Sequence, residues 1–239
     1  MNKKPVLVAS SCLTGERVRY DGQNAADHFV IKLSKYVSII KVCPEVEIGL
    51  GIPRKKVFLV KKNSYALFQE KTGKELTQQL NRFSKKFLSS LKCVDGFLLK
   101  SKSPSCGVYH GAKTYKNADR TGYLGRKRGL FAQAVKESFP FHPVEDEKRL
   151  KDFHIRFLFL TKLYLFFYFR EYGADYVLEK YPEQLKLFSN TGFKKFKKYR
   201  DSTTFLNIFR GNIGRKTLQK KVPDFSEKII IFPRELLYI

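Results

Sequence analysis

The sequence contains no tryptophan, one methionine and four cysteines among its 239 residues. It also lacks an uninterrupted apolar run of the roughly 18 to 20 residues that a membrane-spanning helix needs. The richest stretch, residues 153–169, contains His154, Arg156 and Lys162. The first nine residues lack the long apolar segment of a secretory signal. We therefore expect a cytoplasmic protein without a membrane partner, whose cysteines bind metal, act in catalysis or are buried.

Acidic residues are scarce, since 22 Asp and Glu face 47 Lys and Arg and leave a net charge of +25. An excess of this size is costly in self-repulsion unless it serves a polyanion, so nucleic acid is the first candidate partner. Hydrophobic residues make up 43% of the chain and aromatic residues 15%, which excludes a disordered chain. The length allows one or two domains, each with a buried core.

The first part of the chain alternates short β-branched runs with helical patterns. This order predicts an α/β fold, with a Rossmann-like, mostly parallel sheet and helices on both faces. Strands are expected over residues 5–10, 37–43, 56–60, 65–69 and 94–100, and helices over residues 25–36, 76–92 and 130–138.

Pro140 and Pro143 interrupt this pattern, because proline stops both helices and strands. We place a boundary here, between a first domain of residues 1–143 and a smaller helical domain of residues 144–239. The second domain is expected to contain helices over residues 146–172, 176–190 and 202–221, and a final strand over residues 228–232.

Three cysteines follow predicted strands: Cys12 the first, Cys43 the second and Cys106 the strand that ends near residue 100. The carboxyl ends of parallel strands share one edge of the sheet, where such folds bind ligands. The three loops are therefore expected to converge. Three thiolates would hold a metal centre and leave one coordination position free for a substrate, which suggests catalysis.

Two alternatives accompany this interpretation. Any single cysteine can be a small buried hydrophobe, and we expect this for Cys93, which lies between a helix and a strand without polar neighbours. The other metal to consider is zinc, with His110 completing the three thiolates, although the close Cys-x-x-Cys pair usual in zinc sites is absent.

Four motifs occur in a fixed order along the first part of the chain: SCLTG at residues 11–15, RYDG at residues 19–22, CPEVEIGLGIPR at residues 43–54 and KSKSPSCG at residues 100–107. Together they resemble the thiouracil desulfidase family. The resemblance covers about the first 140 residues, and the order of the motifs makes it specific. The chain as a whole is similar to a two-domain branch of tRNA 4-thiouridine desulfidases, although the second half carries no comparably specific motif.

The resemblance implies a [4Fe-4S] cluster held by Cys12, Cys43 and Cys106. It implies an enzyme that removes sulfur from 4-thiouridine in tRNA, or from thiouracil-type nucleotides, by hydrolysis without net electron transfer, releasing sulfide. Residues 1–143 would then be the cluster-binding desulfidase domain and residues 144–239 a basic accessory domain.

A hydrolysis of this kind needs a base for the attacking water and donors for the developing charge. Glu45 is the candidate base, because Cys43 holds it near the cluster. Ser101 and Ser103 are candidate donors, and Asp21 is included as a candidate catalytic residue. Glu45 has the alternative role of orienting a loop or pairing with Arg19 or Arg54. The serines could instead cap loop N–H groups, and Asp21 could be a turn residue.

A basic run over residues 186–221 contains eleven Lys or Arg and one acidic residue, Asp201. Its aromatic side chains are expected to be helix core, and its charge is expected to bind tRNA. The candidate nucleic-acid-binding residues are Lys194, Lys195, Lys197 and Lys198. A second basic segment over residues 113–128 would guide the same strand toward the cluster. Two other functions remain open: a sulfur carrier or sulfurtransferase, and a non-enzymatic basic RNA-binding protein with a structural metal site.

Overall fold

The computed structural model describes residues 3–211, 213, 215–222 and 229–238, with the backbone only for residues 215 and 216. Within these residues, eight strands form two four-stranded sheets. In chain order the strands are β1 (Val6–Ser10), β2 (Ser38–Val42), β3 (Val57–Lys61), β4 (Tyr65–Gln69), β5 (Gly96–Leu99), β6 (Ala112–Tyr115), β7 (Tyr123–Lys127) and β8 (Val144–Asp146).

The first sheet has the order β2-β1-β5-β8, and all its neighbouring strands are parallel. Side chains alternate between its faces, so Leu7 packs with helices on one face and Val8 with helices on the other. This confirms the predicted α/β fold with helices on both faces of a parallel sheet. Because β8 pairs with β5, the first sheet continues past position 143.

The second sheet has the order β4-β3-β6-β7. The β3–β4 and β6–β7 pairs are antiparallel, whereas β3 and β6 are parallel. Both strands of the β3–β4 pair lie where the sequence predicts strands, over residues 56–60 and 65–69. The other two strands lie in the basic segment of residues 112–127, where exposed lysine and arginine side chains obscure the strand pattern.

The helices cover both faces of the first sheet and form the C-terminal part of the chain. They are α1 (His28–Leu33), α2 (Pro44–Glu47), α3 (Thr77–Ser90), α4 (Leu130–Ser138), α5 (Phe153–Lys180), α6 (Pro182–Phe188), α7 (Asn190–Tyr199), α8 (Ser202–Asn207) and α9 (Arg215–Lys221). No helix in the described ranges is long and apolar enough to cross a membrane.

Helix α5 is apolar on two sides because it is buried on two sides. One side packs in the same cluster as Leu7 and Leu98 of the first sheet, and the other packs with Phe196 and Phe205 of α7 and α8. Its approach to β5 is close: a Cβ at Gly96 would lie 2.9 Å from Pro143 Cγ and 3.0 Å from Leu163 Cδ1. Glycine is therefore the residue that fits at position 96.

The helix predicted from residue 146 begins later, at Phe153. Asp146 instead ends β8 and accepts hydrogen bonds from the backbone N–H groups of Lys148 and Arg149, which turns the chain. Asp152 then caps α5 by accepting from two backbone N–H groups of its first turn. The helix predicted over residues 202–221 is divided into α8 and α9.

The strand predicted over residues 228–232 is not formed in its described part, residues 229–232, and Lys228 lies outside the described residues. Backbone groups here bond to helix side chains instead of a neighbouring strand. The Ile229 carbonyl accepts from Gln184 Nε2 at 3.2 Å, and the Ile231 carbonyl accepts from the Tyr168 hydroxyl at 3.2 Å.

The prediction that Cys93 is a core residue is wrong, because its side chain is exposed. The residue lies in the loop between the end of α3 and the start of β5. Val94 takes the buried position at the entry to the strand, so the hydrophobic alternation begins one residue later than Cys93.

Candidate functional site

Three of the four cysteines line one cavity of about 410 Å³ at the carboxyl edge of the first sheet. Cys12 lies in a 3₁₀ turn directly after β1, Cys43 lies between β2 and α2, and Cys106 lies in the loop after β5. The structure thus brings together the three loops that the sequence analysis placed after three different strands, here β1, β2 and β5. We call this space the thiol cavity.

The loop that carries Cys106 is held in shape by one serine and by helix α4. Ser103 Oγ accepts the backbone N–H groups of Ser105 and Cys106 at 3.1 and 3.0 Å. The first N–H groups of α4 donate to carbonyls of this loop, including Ala132 N to Ser105 O at 3.0 Å. A Cβ at Gly129 would lie 2.4 Å from that same carbonyl, so the contact between loop and helix requires glycine.

Cys12 and Cys106 are buried and Cys43 is half-buried, and the three thiols lie within one another's electrostatic field. Burial, followed by the nearby Cys43, raises the pKa of Cys12 to about 12. The pKa of Cys43 is also raised by burial, and that of Cys106 is raised well above its ordinary value, first by burial and then by the two other cysteines. Three such thiols become thiolates only when a positive charge is added among them, which a metal centre supplies.

Arg54 is the cation closest to these sulfurs. Its side chain is 4% exposed, and one Nη lies 3.8 Å from Cys43 Sγ while the other donates to the Val18 carbonyl at 2.8 Å. A buried guanidinium in this position stabilises negative charge on the sulfur.

The donor set fits a metal cluster better than a single ion. Among the described residues, no three His, Cys, Asp or Glu side chains lie close enough together to hold one metal ion. His110 does not line the thiol cavity. Its Nδ1 instead lies 3.1 Å from Asp146 Oδ1. The zinc set of three cysteines and His110 is therefore not assembled. Three separated thiols around a cavity suit a larger, multinuclear centre.

Glu45, the first residue after Pro44 in α2, lines the thiol cavity and is firmly positioned. Its Oε2 accepts two hydrogen bonds from Arg54, at 3.1 and 2.9 Å, and its Oε1 accepts one from Ser105 Oγ at 3.0 Å. A carboxylate has about four acceptor positions. One position on Oε1 is left for a water molecule.

Ser101 and Ser103 both line the thiol cavity but have different hydrogen-bonding capacity. The Ser101 hydroxyl donates to Glu147 Oε1 at 2.5 Å and accepts from Lys100 Nζ at 3.1 Å, which leaves one acceptor position. Ser103 Oγ already accepts two N–H groups, so its own hydrogen is available to donate.

Asp21 lies beside the cavity and does not line it. Its carboxylate is exposed, pairs with Arg19 at 3.3 Å and accepts the backbone N–H of Gln23, as a turn residue does. Arg19 and Tyr20 do line the cavity, so Asp21 contacts the site only through Arg19.

Sequence reasoning missed Glu147 and Lys100. Lys100 lines the thiol cavity, and its ammonium pairs with Glu147 at 2.5 Å, while Glu147 Oε2 accepts the Ser101 backbone N–H at 2.8 Å. Glu147 follows β8 directly, so it occupies the same carboxyl edge as the three cysteines. The sequence pattern predicts a helix from residue 146, so it does not identify Glu147 as a residue at the end of a strand.

A second cavity, of about 270 Å³, adjoins the thiol cavity and has Lys56 and Lys102 in common with it. No acidic side chain lines it among the described residues. The neighbouring Lys148 and Arg126 lower the pKa of Lys102, as expected where like charges crowd together. We call this surface the cationic groove; its basic residues are Lys56, Lys102, Lys113, Arg120 and Arg126.

The four lysines of α7 are exposed and form no ion pair with any described side chain. Phe193 and Phe196, on the same helix, are buried among the helices. Helix α7 therefore has an apolar inner face and a basic outer face. Tyr199, at its end, is 57% exposed.

The fold and the site define a class: an α/β protein with a cysteine-lined cavity at the carboxyl edge of its parallel sheet. Residues 7–147 match the family described as 2-thiouracil desulfurase. The chain belongs to this family, which confirms the resemblance of the four motifs.

Two known proteins are similar to this chain. "Uncharacterized protein YbbK" of Bacillus subtilis (strain 168) is 28% identical over an alignment of 128 residues, and the match covers 49% of this chain and 85% of that protein. A solved structure described as "[4Fe-4S]-dependent thiouracil desulfidase TudS" has 25% sequence identity and a TM-score of 0.48, and the match covers 63% of this chain and 94% of that one.

Proposed function

We propose that this protein is a [4Fe-4S]-dependent desulfidase that removes sulfur from 4-thiouridine in tRNA by hydrolysis and releases it as sulfide. Membership of the desulfurase family supports the reaction class. The observation that carries the proposal is the convergence of three thiols, from three separate loops, on one cavity.

Cys12, Cys43 and Cys106 would hold the cluster, which supplies a Lewis-acidic iron for the thiocarbonyl sulfur when bound. The chain's own residues prepare the surroundings. Arg54 balances the negative charge of the thiolates, and hydrogen bonds from the first N–H groups of α4 hold the loop of Cys106 in place. The hydroxyls and N–H groups around the sulfurs are the partners that such centres use to tune their ligands.

Water attacks the ring carbon that bears sulfur, the carbon–sulfur bond breaks, and the sulfur leaves as hydrosulfide, so no electrons are exchanged. Glu45 accepts the proton of the water at the free position on Oε1. Ser103 donates its hydrogen to the charge that develops on the ring, and Ser101 accepts the ring N–H at its remaining lone pair.

A phosphate-bearing substrate suits the surroundings of the cavity. The cationic groove leads away from the thiol cavity and offers five basic side chains without a lining carboxylate. The exposed lysines of α7 provide a second unpaired cationic surface. A free base would use neither surface, whereas the phosphates of tRNA would use both.

The test compares two substrates in parallel, 4-thiouridine tRNA and 4-thiouridine monophosphate, with sulfide and uridine measured as products. Reconstituted wild-type protein is expected to convert the tRNA faster. Replacing Lys194, Lys195, Lys197 and Lys198 with Glu is expected to weaken conversion of the tRNA and leave that of the nucleotide unchanged.

The matched control changes the same number of charges in the first half of the chain. Lys74, Lys85, Lys86 and Lys92 are also exposed, and their replacement with Glu is expected to affect tRNA conversion much less. Equal loss on both substrates in the α7 variant would contradict tRNA as the substrate. Transfer of the sulfur to a protein acceptor without free sulfide would instead identify a sulfurtransferase.

A further inference from the structure

A separate cavity of about 350 Å³ lies between β8, the end of α4 and helix α5. It shares no lining residue with the thiol cavity among the described residues. Lys136, Arg149 and Lys162 contribute three cationic groups to its wall, and Glu145 contributes the carboxylate that lines it. We call this space the α5 cavity.

Glu145 is paired with Arg149, and its charge also acts on Lys136 and Lys162. One carboxylate among three cationic groups leaves the wall of the cavity with an excess of positive charge. Arg149 Nε donates to Glu145 Oε2 at 2.8 Å, and the guanidinium stacks over the Tyr109 ring at 4.1 Å. Neither Lys136 nor Lys162 forms a hydrogen bond or ion pair with a described residue; the Lys162 ammonium lies 5.1 Å from the Phe209 ring. Two ammonium groups thus line the cavity without an ion-pair partner among the described residues.

The electrostatics of the lysines agree with this geometry. Burial, followed by the charge of Lys136, lowers the pKa of Lys162 to about 7. Burial and neighbouring arginines lower the pKa of Lys136 as well. His142, also in the wall, has its pKa lowered to about 4 by burial and is neutral. Two like charges kept together in a partly dry cavity are destabilising unless an anion joins them.

The rest of the wall is apolar and aromatic. Phe159, Phe188 and Leu158 lie around the cationic groups, and Tyr109 adds a phenol. The volume falls in the range of small-molecule sites. A doubly charged anion alone would leave this apolar surface without a partner, so the ligand also carries an organic group.

We propose that the α5 cavity binds a phosphate monoester of mononucleotide size, with Lys136 and Lys162 neutralising its phosphate and the aromatic wall contacting its organic group. The site is independent of the desulfidase chemistry. The two cavities are nearest in sequence at Tyr109, which lines the α5 cavity and follows Cys106 by three residues.

The test is calorimetric titration of the full-length, reconstituted protein with uridine 5′-monophosphate, uridine and inorganic phosphate. The double variant Lys136→Met, Lys162→Met is expected to weaken one saturable uridine-monophosphate site by about 10- to 100-fold, the value of losing charged hydrogen bonds. Lys113→Met with Arg120→Met, in the cationic groove, serves as the control and is expected to retain that site.

Three outcomes would overturn the proposal. They are unchanged binding in the Lys136 and Lys162 variant, loss of all binding in the groove variant, and uridine binding as tightly as its monophosphate. Lys136→Met alone provides the same comparison if the double variant does not fold. A 5′-phosphorylated RNA oligonucleotide, titrated in parallel, distinguishes a terminal RNA phosphate from a free mononucleotide. Because the readout is binding, the result stands whether or not desulfidation is observed.

Discussion

At the scale of single residues, the number of free hydrogen-bonding positions decides which role each polar side chain in the thiol cavity can take. Ser103 has a free hydrogen and Ser101 a free lone pair, although the sequence presents them as equivalent hydroxyls. Glu45 has one free acceptor position beside three occupied ones. The site is thus arranged before a substrate enters, since Arg54, Lys100 and Glu147 hold its reactive groups.

Replacing Cys12, Cys43 or Cys106 with Ala is expected to abolish the bound iron, because each removes one of three ligands from the same cavity. Cys93→Ala is the matched control, and its exposed position predicts full retention of iron and no loss of stability. Iron content and visible absorbance of anaerobically reconstituted protein measure both effects. Tightly held zinc in a colourless wild-type protein would refute the cluster.

Glu45→Gln is expected to keep the bound cluster and lower the rate of sulfide release by about 10² to 10⁴, the usual contribution of a general base. The amide is nearly isosteric but cannot accept the proton. Glu47→Gln, on the exposed side of the same short helix, is expected to behave as wild type. Wild-type turnover by Glu45→Gln would remove this residue from the mechanism.

Lys162→Met is expected to increase the free energy of unfolding at pH 7. The pKa of Lys162 is about 7 in the folded protein and 10.5 ordinarily, so its charge opposes folding fully below pH 7 and progressively less up to pH 10.5. The advantage of the methionine variant should therefore shrink as the pH rises through this window. Urea unfolding at several pH values measures it, and an advantage that grows with pH would contradict the assignment.

The three cavity cysteines could be predicted because each follows a strand, and parallel strands end at one edge. Glu147 could not, because β8 is only three residues long and its sequence, Val-Glu-Asp, shows no strand pattern. Cys93 was assigned to the core because the sequence does not fix where the loop before β5 ends. The partner of the Ser101 hydroxyl, Glu147, lies 46 positions away in the chain and follows only from the fold.

At the scale of elements, the packing of α5 against the first sheet is the contact on which the architecture depends. The helix has no polar face along its first four turns because it is covered by strands on one side and by helices on the other. An apolar run of this kind otherwise suggests a membrane segment; here the two covering layers explain it.

Gly96→Ala is expected to lower the free energy of unfolding by about 1–3 kcal/mol, because the new methyl group would overlap Pro143 and Leu163. The double variant Gly96→Ala, Leu163→Ala tests the cause, since shortening Leu163 relieves part of the overlap. Its destabilisation should be smaller than the sum of the two single variants. Additive effects in urea unfolding would show that the contact is not the reason.

Most elements before residue 140 could be predicted from periodicity, and α4 agrees with its predicted bounds at both ends. The pairing of β3 with β6 could not, because a parallel contact between distant strands leaves no local mark in the sequence. The late start of α5 reflects the side chains of Asp146 and Asp152, which make a turn and a cap where hydrophobicity alone suggests a continuous helix.

At the scale of the whole molecule, positive charge is concentrated beside the thiol cavity and on α7, while the acidic residues nearest the site are held in ion pairs with Arg54, Lys100 and Arg149. The four exposed lysines of α7, which form no ion pair with a described side chain, belong to a chain with a net charge of +25. A polyanion would find these surfaces at long range.

Binding of tRNA is expected to weaken steeply with salt, because phosphate contacts release counter-ions. Each lysine that contacts a phosphate contributes about one unit to the slope of log K against log salt. The four-fold α7 variant should therefore have a slope shallower by up to about four than wild type. Filter binding across a salt series measures it, and an unchanged slope would place the tRNA elsewhere on the molecule.

The position of α5 also sets an order of events while the chain is being made. Leu7 and Leu98 belong to a core that α5 completes, yet the helix begins more than fifty residues after β5. At about 5–20 residues per second, the ribosome needs several seconds between delivering the sheet and delivering its cover. During that interval the face of β1 and β5 that α5 later covers stays exposed, and an exposed apolar face of this kind leaves a nascent chain open to aggregation.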